Sequence, residues 1–333
     1  MKAIVLHKGG PPEVLQFEDL DLPEPGPGEA RVRLRAAGLN HRDIWRRKSY
    51  AEAAPVIPGS DGAGVVDAVG SPRDSAWVGR EVVIYPGFGW GHREEAPERG
   101  FEILGIPSPG TYAEAIVVPV ANLVPKPEHM TAMQVASIPV AGLTAWRALF
   151  TQGRLMPGQT VLLPGIGSGV AGFALAFAKG AGARVIATSS SDDKLRLARE
   201  QGADLVFNYR DEAWESQVKE AVGADGIDLA IDHAGARSIP ACLRLVRFGG
   251  RVVYLGLTTG ETIELNLRPP MWKQAHLIGT LMGSPREFEQ MLQWMRVQRY
   301  VPEIRHVFPL AEAAKAHAFM EAGKQFGKIM LHI

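Results

Sequence analysis

The stretch Gly165-Ile-Gly-Ser-Gly-Val-Ala-Gly172 carries the plainest chemistry in the chain. It follows an apolar run, Thr160-Val-Leu-Leu163, and opens an apolar segment free of breakers, so its glycines fall between a strand and a helix. Glycine there permits a tight turn and lets backbone N–H groups approach a pyrophosphate, whose charge then rests at the positive end of the helix. Two registers fit, Gly165-x-Gly167-x-x-Val170 imperfectly and Gly167-x-Gly169-x-x-Gly172 fully, and both stay open. Gly165, Gly167, Ser168, Gly169 and Val170 are the candidate pyrophosphate contacts. About 20 residues further on, at the end of the second strand, a carboxylate would accept the 2′-hydroxyl of NAD and repel a 2′-phosphate. Here that strand ends Thr188-Ser-Ser-Ser191, and Lys194 opens the next helix. The hydroxyls of Ser189 and Ser190 can donate to a phosphate and Lys194 adds positive charge, which points to NADPH. Ser191 or Asp192 also fits as the cap of that helix, and both readings hold together because a helix start is itself an anion site. Asp192 and Asp193 work against the phosphate.

The elements that position this loop alternate strictly. Residues 160–163, 170–179 and 183–187 read as strand, helix and strand, the length of one βαβ unit. Helices over 192–201, 212–222 and 238–247 then interleave with strands over 204–207, 226–231 and 250–255. A strand over 276–281 and a helix over 285–298 follow. Such alternation implies an α/β fold, a Rossmann-type doubly wound parallel sheet over residues 131–282 with helices on both faces. Residues 1–130 differ: short β-prone runs at 3–6, 30–35, 64–69, 81–85 and 112–118 are separated by Pro and Gly. Val32 and Leu34 alternate with Arg31, Arg33 and Arg35, a strand with one wet face. Residues 86–110, glycine-rich and charged, read as a long lobe. The last segment, with strands at 304–308 and 328–331 around a helix at 310–321, is expected to rejoin the first domain over residues 283–333.

Composition excludes several classes. A length of 333 residues suggests two domains, and 46% apolar residues exclude a disordered chain. Thirty-six basic side chains balance 36 acidic ones, without a long basic run, so nucleic acid is not an expected partner. The single cysteine, Cys242, cannot form an intramolecular disulfide or a Cys-rich metal site, and it fits a reducing, cytoplasmic setting. On an apolar helix face it reads as a small buried hydrophobe. The N-terminal apolar stretch is too short for a signal peptide. Residues 155–178 lack charge, but Pro157, Pro164 and five glycines punctuate them, so no membrane span is expected.

Further motifs appear in order: Gly38-Leu-Asn-His-Arg-Asp43, Pro58-Gly-Ser-Asp-Gly-Ala-Gly64 followed by Val69-Gly70, Gly110-Thr-Tyr-Ala-Glu114, Leu143-Thr-Ala-Trp146, and Phe326-Gly-Lys-Ile-Met-Leu331. With the glycine loop, they make the chain resemble the medium-chain dehydrogenase/reductase superfamily over essentially its full length. Within it, the chain is similar to the quinone oxidoreductase and zinc-type alcohol dehydrogenase-like branch. The resemblance implies a GroES-like catalytic domain at residues 1–130 and a homodimer paired through the edge strand near 276–281. Zinc-dependent members place a cysteine where this chain has Asn40, a His-Glu pair at Ser60-Asp61, and a cysteine near Pro139 and Val140. They also carry four cysteines in the lobe, where this chain has only His92 as a candidate ligand, read as a solvated loop residue. The expectation is therefore no metal at either site. Without a Lewis acid, alcohol oxidation loses its means of stabilising an alkoxide. Reduction of an electron-poor acceptor needs no such step, because a hydrogen-bond donor or water can satisfy the developing oxyanion. Zinc-lacking relatives are NADPH-dependent quinone or enoyl/alkenal reductases. The alternatives are a non-catalytic NADPH-binding sensor and an alcohol dehydrogenase with an unconventional metal site.

By the same resemblance, Asn40 lies near the nicotinamide, its amide bonding cofactor or substrate oxygen; Asn is also common in turns. Asp43, one helical turn on, orients Asn40 or caps the helix. Tyr50 falls within one position of the tyrosine that enoyl reductases use as proton donor, with a peripheral pocket role equally open. His41 is weighed as a general base and read as a helix-start residue. Arg42, Arg46, Arg47 and Lys48 are weighed as an attractor of an anionic substrate and read as a solvated face. Ser60 and Asp61 are expected to line the site without chemical duty. Tyr209, with Arg210 as helper, resembles the tyrosine beside the 2′-phosphate in relatives. Asp232 and Gly235 end one strand and Leu255 and Gly256 another, at the sheet edge where ligand binds. Lys328 matches a lysine by the domain cleft in relatives. Thr144 either reaches the nicotinamide or bonds back to its own helix. The expected partner is a small electrophilic acceptor.

Overall fold

The computed structural model describes residues 1–51 and 54–333; Glu52, part of the loop after Tyr50, lies outside the described residues. The chain forms two compact units, Met1–Ala141 with Ser284–Ile333, and Gly142–Gly283.

The first unit begins with β1 (Lys2–Leu6), β2 (Leu15–Asp19), β3 (Glu29–Gly38), α1 (His41–Ser49), β4 (Asp61–Val69) and β5 (Glu81–Ile84). It continues through β6 (Gly87–Phe88), β7 (Glu102–Ile103), β8 (Ala115–Pro119), β9 (Leu123–Pro125) and α2 (Ala132–Ala136). The period-2 pattern of β3 works as expected: Val32 and Leu34 are buried while Arg33 and Arg35 are exposed. Arg31 departs from it, because its buried guanidinium is neutralised by Asp67 and Glu24 at 2.8 Å each. Residues 131–141, expected with the second domain, lie in the first unit, where α2 packs on β3 and β4. The division falls inside α3 (Pro139–Trp146).

The second unit holds β10 (Thr160–Leu163), α4 (Gly169–Gly180), β11 (Arg184–Ser189), α5 (Asp192–Glu200), β12 (Leu205–Asn208) and α6 (Trp214–Val222). After these come β13 (Ile227–Asp232), α7 (Ile239–Leu245), β14 (Val246–Tyr254), α8 (Arg268–Lys273) and β15 (His276–Gly279). All six strands run parallel, in the order β12-β11-β10-β13-β14-β15. The order reverses between β10 and β13, the place where doubly wound sheets bind ligands outside the carboxyl ends of their strands. β14 starts earlier than the helical pattern suggests, because Val246 already pairs with Ile227 before the ladder shifts register. Cys242 is buried among the apolar residues of α7, its Sγ 3.9 Å from Asp232 Oδ2.

The chain then returns to the first unit through α9 (Pro285–Gln298), β16 (His306–Pro309), α10 (Ala313–Glu321) and β17 (Ile329–His332). β17 runs parallel to β16 and antiparallel to β3, pairing Met330 with Gly38. The main sheet of this unit is ordered β16-β17-β3-β4-β5-β9, with β8 also on β3. Among the described residues no helix is long and apolar enough to cross a membrane.

Candidate active site

In the first unit the end of β3 and the starts of β4 and β17 bring Asn40, Asp61 and Lys328 together. The β3–β4 ladder pairs Gly38 with Asp61, and the β3–β17 ladder pairs the same Gly38 with Met330. Lys328 Nζ donates to Asp61 Oδ2 and Asn40 Oδ1 at 2.8 Å each and to the Leu39 carbonyl at 2.6 Å. Asn40 Nδ2 donates to the same Asp61 Oδ2 at 2.9 Å. Asp61 Oδ1 accepts the Val140 N–H at 2.8 Å. The Lys328 and Asp61 side chains are 5% and 0% exposed, a buried ion pair whose remaining lone pairs and protons are occupied.

A second layer fixes the backbone of Asn40. Asp43 Oδ2 accepts the Asn40 N–H and the Tyr112 hydroxyl, each at 2.9 Å. Asp43 thus holds the start of α1 and orients Asn40 through its main chain. Burial pushes the Asp43 carboxyl above the usual carboxylate range, opposed by the nearby Arg42 charge and by the bonds it accepts. Burial, reinforced by Asp43, also raises the Tyr112 phenol well above its ordinary value, so it stays a donor. Ser60 Oγ donates to the Leu104 carbonyl at 2.7 Å and accepts from Arg42 Nη1 at 2.9 Å. Arg42 also reaches the carbonyls of Ile103, Leu104 and Ile106, binding α1 to the lobe. It is not part of a solvated face, and neither is Arg47, whose side chain is buried against Glu321, His317 and the Gly10 carbonyl. The Tyr50 hydroxyl donates to the Ala54 carbonyl. His41 sits half-buried at the first position of α1.

This centre does not suit Zn²⁺. The positions where zinc-dependent members would hold thiolates and imidazole offer an amide, a hydroxyl and one carboxylate, and an ammonium already takes the amide and carboxylate oxygens. Among the described residues no group of three His, Cys, Asp or Glu side chains could hold a metal ion. In the lobe, Trp90 packs edge-on against Phe101 with ring centroids 5.1 Å apart and donates Nε1–H to the Arg93 carbonyl at 3.0 Å. His92 there is exposed.

The glycine loop of the second unit has the form of an anion cradle. Gly165 and Gly167 take φ of 73° and 135°, which glycine adopts without strain. Gly169 is the first residue of α4, and Ser168 caps the helix by accepting the Ala171 N–H at 3.1 Å. Gly172 lies inside α4 with open space where a Cβ would go, so the turn uses the register beginning at Gly165, and Val170 follows within the helix. The loop is braced from the neighbouring strand: His233 Nε2 bonds the Gly165 carbonyl at 3.1 Å, and burial lowers its affinity for a proton, which leaves it the neutral donor. The Lys194 side chain lies across the loop, since a Cβ on Gly167 would come within 3.2 Å of its Nζ.

At the end of β11, Ser189 Oγ accepts the Ser191 N–H, and Ser191 Oγ caps α5 on the Lys194 N–H. Ser190 is half-buried between them. Burial alone lowers the Lys194 ammonium from its ordinary value. Asn208 Nδ2 donates to Asp192 Oδ1 at 2.8 Å, which occupies one of the two carboxylates that oppose a phosphate. Tyr209 is exposed, its N–H on the Ser189 carbonyl at 3.1 Å. Asp232 Oδ1 accepts the N–H groups of Ala234 and Gly235 at 3.0 and 2.7 Å, closing the turn after β13. Leu255 donates its N–H to the Asp232 carbonyl, and a Cβ on Gly256 would stand 2.2 Å from the His233 carbonyl oxygen. These two strand ends therefore meet backbone to backbone. Thr144 is buried in α3.

Lys328 therefore faces Asn40 and Asp61 in the first unit, whereas the other expected nucleotide contacts are in the second. Asp61 is the hub of the cluster, not a lining residue. Tyr112 and His233 were not expected. A carboxylate between Ser60 and Gly62 at the head of an apolar strand is the available signal for Asp61, since a buried charge needs a partner.

Residues 26–128 match the family described as "Alcohol dehydrogenase GroES-like domain" and residues 169–296 the family "Zinc-binding dehydrogenase". A "Zinc-type alcohol dehydrogenase-like protein YogA" of Leptosphaeria maculans is 32% identical, the match covering 96% of this chain and 94% of the relative. A "Quinone oxidoreductase" of Pseudomonas aeruginosa is 31% identical, with 99% of each chain covered. Among solved structures, an "NAD-dependent alcohol dehydrogenase" is 39% identical with a TM-score of 0.93, covering both chains fully. A mycobacterial protein complexed with NADPH, 27% identical, superposes with a TM-score of 0.85 over the whole of both chains.

Proposed function

Because the chain belongs to the medium-chain dehydrogenase/reductase superfamily and is an oxidoreductase, we propose that it is a zinc-independent, NADPH-dependent reductase of quinones or α,β-unsaturated carbonyls. The observation that carries this reading is the Lys328 ammonium, bonded to Asn40 and Asp61 at the place where a zinc-dependent enzyme keeps its metal. Without a metal to stabilise an alkoxide, the favoured direction is reduction of an acceptor that is already electron-poor.

When bound, the nicotinamide supplies a hydride, which the acceptor takes while its oxygen gains negative charge and then a proton from water. The protein's own groups do the rest. Gly165, Gly167 and the start of α4 offer backbone N–H groups to the pyrophosphate, with Ser168, Gly169 and Val170 forming the first turn. Ser189, Ser190, Lys194 and Tyr209 gather where a 2′-phosphate would lie, and the Asn208–Asp192 bond reduces the repulsion there. Asp232, Gly235, Leu255 and Gly256 shape the strand ends, with Thr144 a nicotinamide contact. Asn40 supplies an amide donor to the acceptor oxygen, on a backbone that Asp43 holds. Tyr50 serves as a pocket residue, its hydroxyl already bonded to Ala54.

The protein is also proposed to act as a cytoplasmic homodimer. β15 is the edge strand of its sheet, with Leu277 and Leu281 exposed, and the nearby Met271 and Trp272 of α8 are 69% and 75% exposed. An uncovered apolar edge favours pairing with a second copy.

The test is NADPH oxidation with a panel of quinones and alkenals, run beside elemental analysis. Turnover with at least one acceptor and no bound metal is expected. Stoichiometric zinc together with alcohol oxidation would replace this reading by an alcohol dehydrogenase, and nucleotide binding without any turnover by a sensor.

A further inference from the structure

Lysine has three N–H donors and no acceptor, so every group facing it must present a lone pair. Lys328 uses all three, on the Leu39 carbonyl at 2.6 Å and on Asn40 Oδ1 and Asp61 Oδ2 at 2.8 Å. The Asn40 carboxamide is left with one orientation. Oδ1 meets the ammonium, and Nδ2 donates one hydrogen to Asp61 Oδ2 at 2.9 Å. A flipped amide would set Nδ2 against the ammonium and Oδ1 against the carboxylate, both repulsive. The second Nδ2 hydrogen makes no hydrogen bond to the protein among the described residues. Asp61 itself cannot turn to accept it, because its other oxygen is held by the Val140 N–H at 2.8 Å.

We propose that Lys328 is a positioning residue: its ammonium locks the Asn40 carboxamide so that the second Nδ2 hydrogen is presented to the acceptor oxygen as negative charge develops there. The inference rests on the reductase reading above and adds to it the reason why this asparagine donates and does not accept. A metal would draw the substrate oxygen to itself. Here the cation stays behind the amide, and the amide makes the contact. The acceptors this selects carry an oxygen that gains charge on reduction and bring no strong cation of their own.

Removing Lys328 alone would leave Asp61 buried and unpaired, so the charge pair is removed together. Lys328→Met/Asp61→Asn and Lys328→Gln/Asp61→Asn are compared with wild type, each also in an Asn40→Ala background. The readouts are kcat and KM for an acceptor that wild type reduces, the Kd of NADPH, and the thermal midpoint. The methionine pair is expected to bind NADPH within about twofold of wild type and to lose at least about tenfold in kcat. The glutamine pair, whose amide can still donate to Asn40 Oδ1, recovers most of that loss. In the Asn40→Ala background neither pair costs more than about a further twofold, because a group acting only through Asn40 has nothing left to position. Unchanged kcat in a folded methionine pair, equal kcat in the two pairs, or losses that multiply in the Asn40→Ala background would each overturn the inference. If the methionine pair does not fold, Lys328→Ala/Asp61→Asn, which also lacks the donor, takes its place in the same comparison, with the same expected loss and the same overturning results. Wild-type protein that reduces no quinone or enone overturns the reductase reading, and that result is visible before any variant is made.

Discussion

His317 of α10 is fully buried, with its Nδ1 3.1 Å from Arg47 Nη1. Arginine has only donors, so Nδ1 accepts and the proton sits on Nε2. Burial first, and then the Arg47 charge, lowers this imidazole from 6.5 to about 3. Between those values the unfolded chain takes up a proton that the folded chain refuses. The contribution to stability is complete above pH 6.5 and is lost progressively as the pH falls towards 3, by up to about 1.4 kcal/mol per pH unit. Unfolding midpoints measured from pH 7 to pH 4.5 should therefore fall less steeply in His317→Gln than in wild type. An equal slope would refute this assignment. On the nucleotide side, Lys194→Ala should raise the Kd of NADPH by about ten- to a hundredfold, the worth of one charge-assisted bond, and leave NADH nearly unchanged. Calorimetric titration with both nucleotides checks it, and equal effects on the two would count against a 2′-phosphate site. The pairing of Asn40 with Asp43 was readable because three residues make one helical turn. Lys328 and Asp61 are 267 positions apart, and no local period reports a partner at that distance. The same holds for Arg47 and His317, whose basic run looked like solvated charge until α10 covered it.

At the scale of elements, the lobe over residues 86–110 shows how a segment without cysteines can be held in shape. Its centre is the Trp90–Phe101 pair, and its tether is Arg42, which bonds the carbonyls of Ile103, Leu104 and Ile106 from α1. Each carbonyl left unpaired costs roughly 1–3 kcal/mol. Arg42→Ala should accordingly open this lobe before the rest of the unit unfolds, and limited proteolysis should cut within 86–110 at least about tenfold faster than in wild type. Unchanged digestion would show that the aromatic pair suffices. The βα alternation of the second unit was legible because hydrophobic periods of 2 and 3.6 report directly on strands and helices. Element ends were less so: nothing local marks Val246 as strand, since its pairing with Ile227 is a contact across the sheet. The first boundary was displaced for a similar reason, as α2 is helical like the second unit but packs on the strands of the first.

Across the whole molecule, the chain completes one unit only after making the other: residues 142–283 are inserted between the two parts of the first. The family matches divide nearly in the same way, one over residues 26–128 and one over residues 169–296, the second running on into α9 of the first unit. If β15 pairs with a second copy, a charge placed on that edge should prevent it. Leu277→Glu is expected to sediment as a monomer with unchanged helix and strand content, and a persistent dimer would place the contact elsewhere. The late return of the chain also orders events during synthesis. Lys328 is made after every other member of its cluster, so a nascent chain carries the Asp61 carboxylate with no cation to meet it. Domains tend to fold as they emerge, which lets the parallel sheet of the second unit close while β3 still lacks β17. A product cut short before Lys328 would then lack the ammonium that holds the Asn40 carboxamide, although every other member of that cluster is already made.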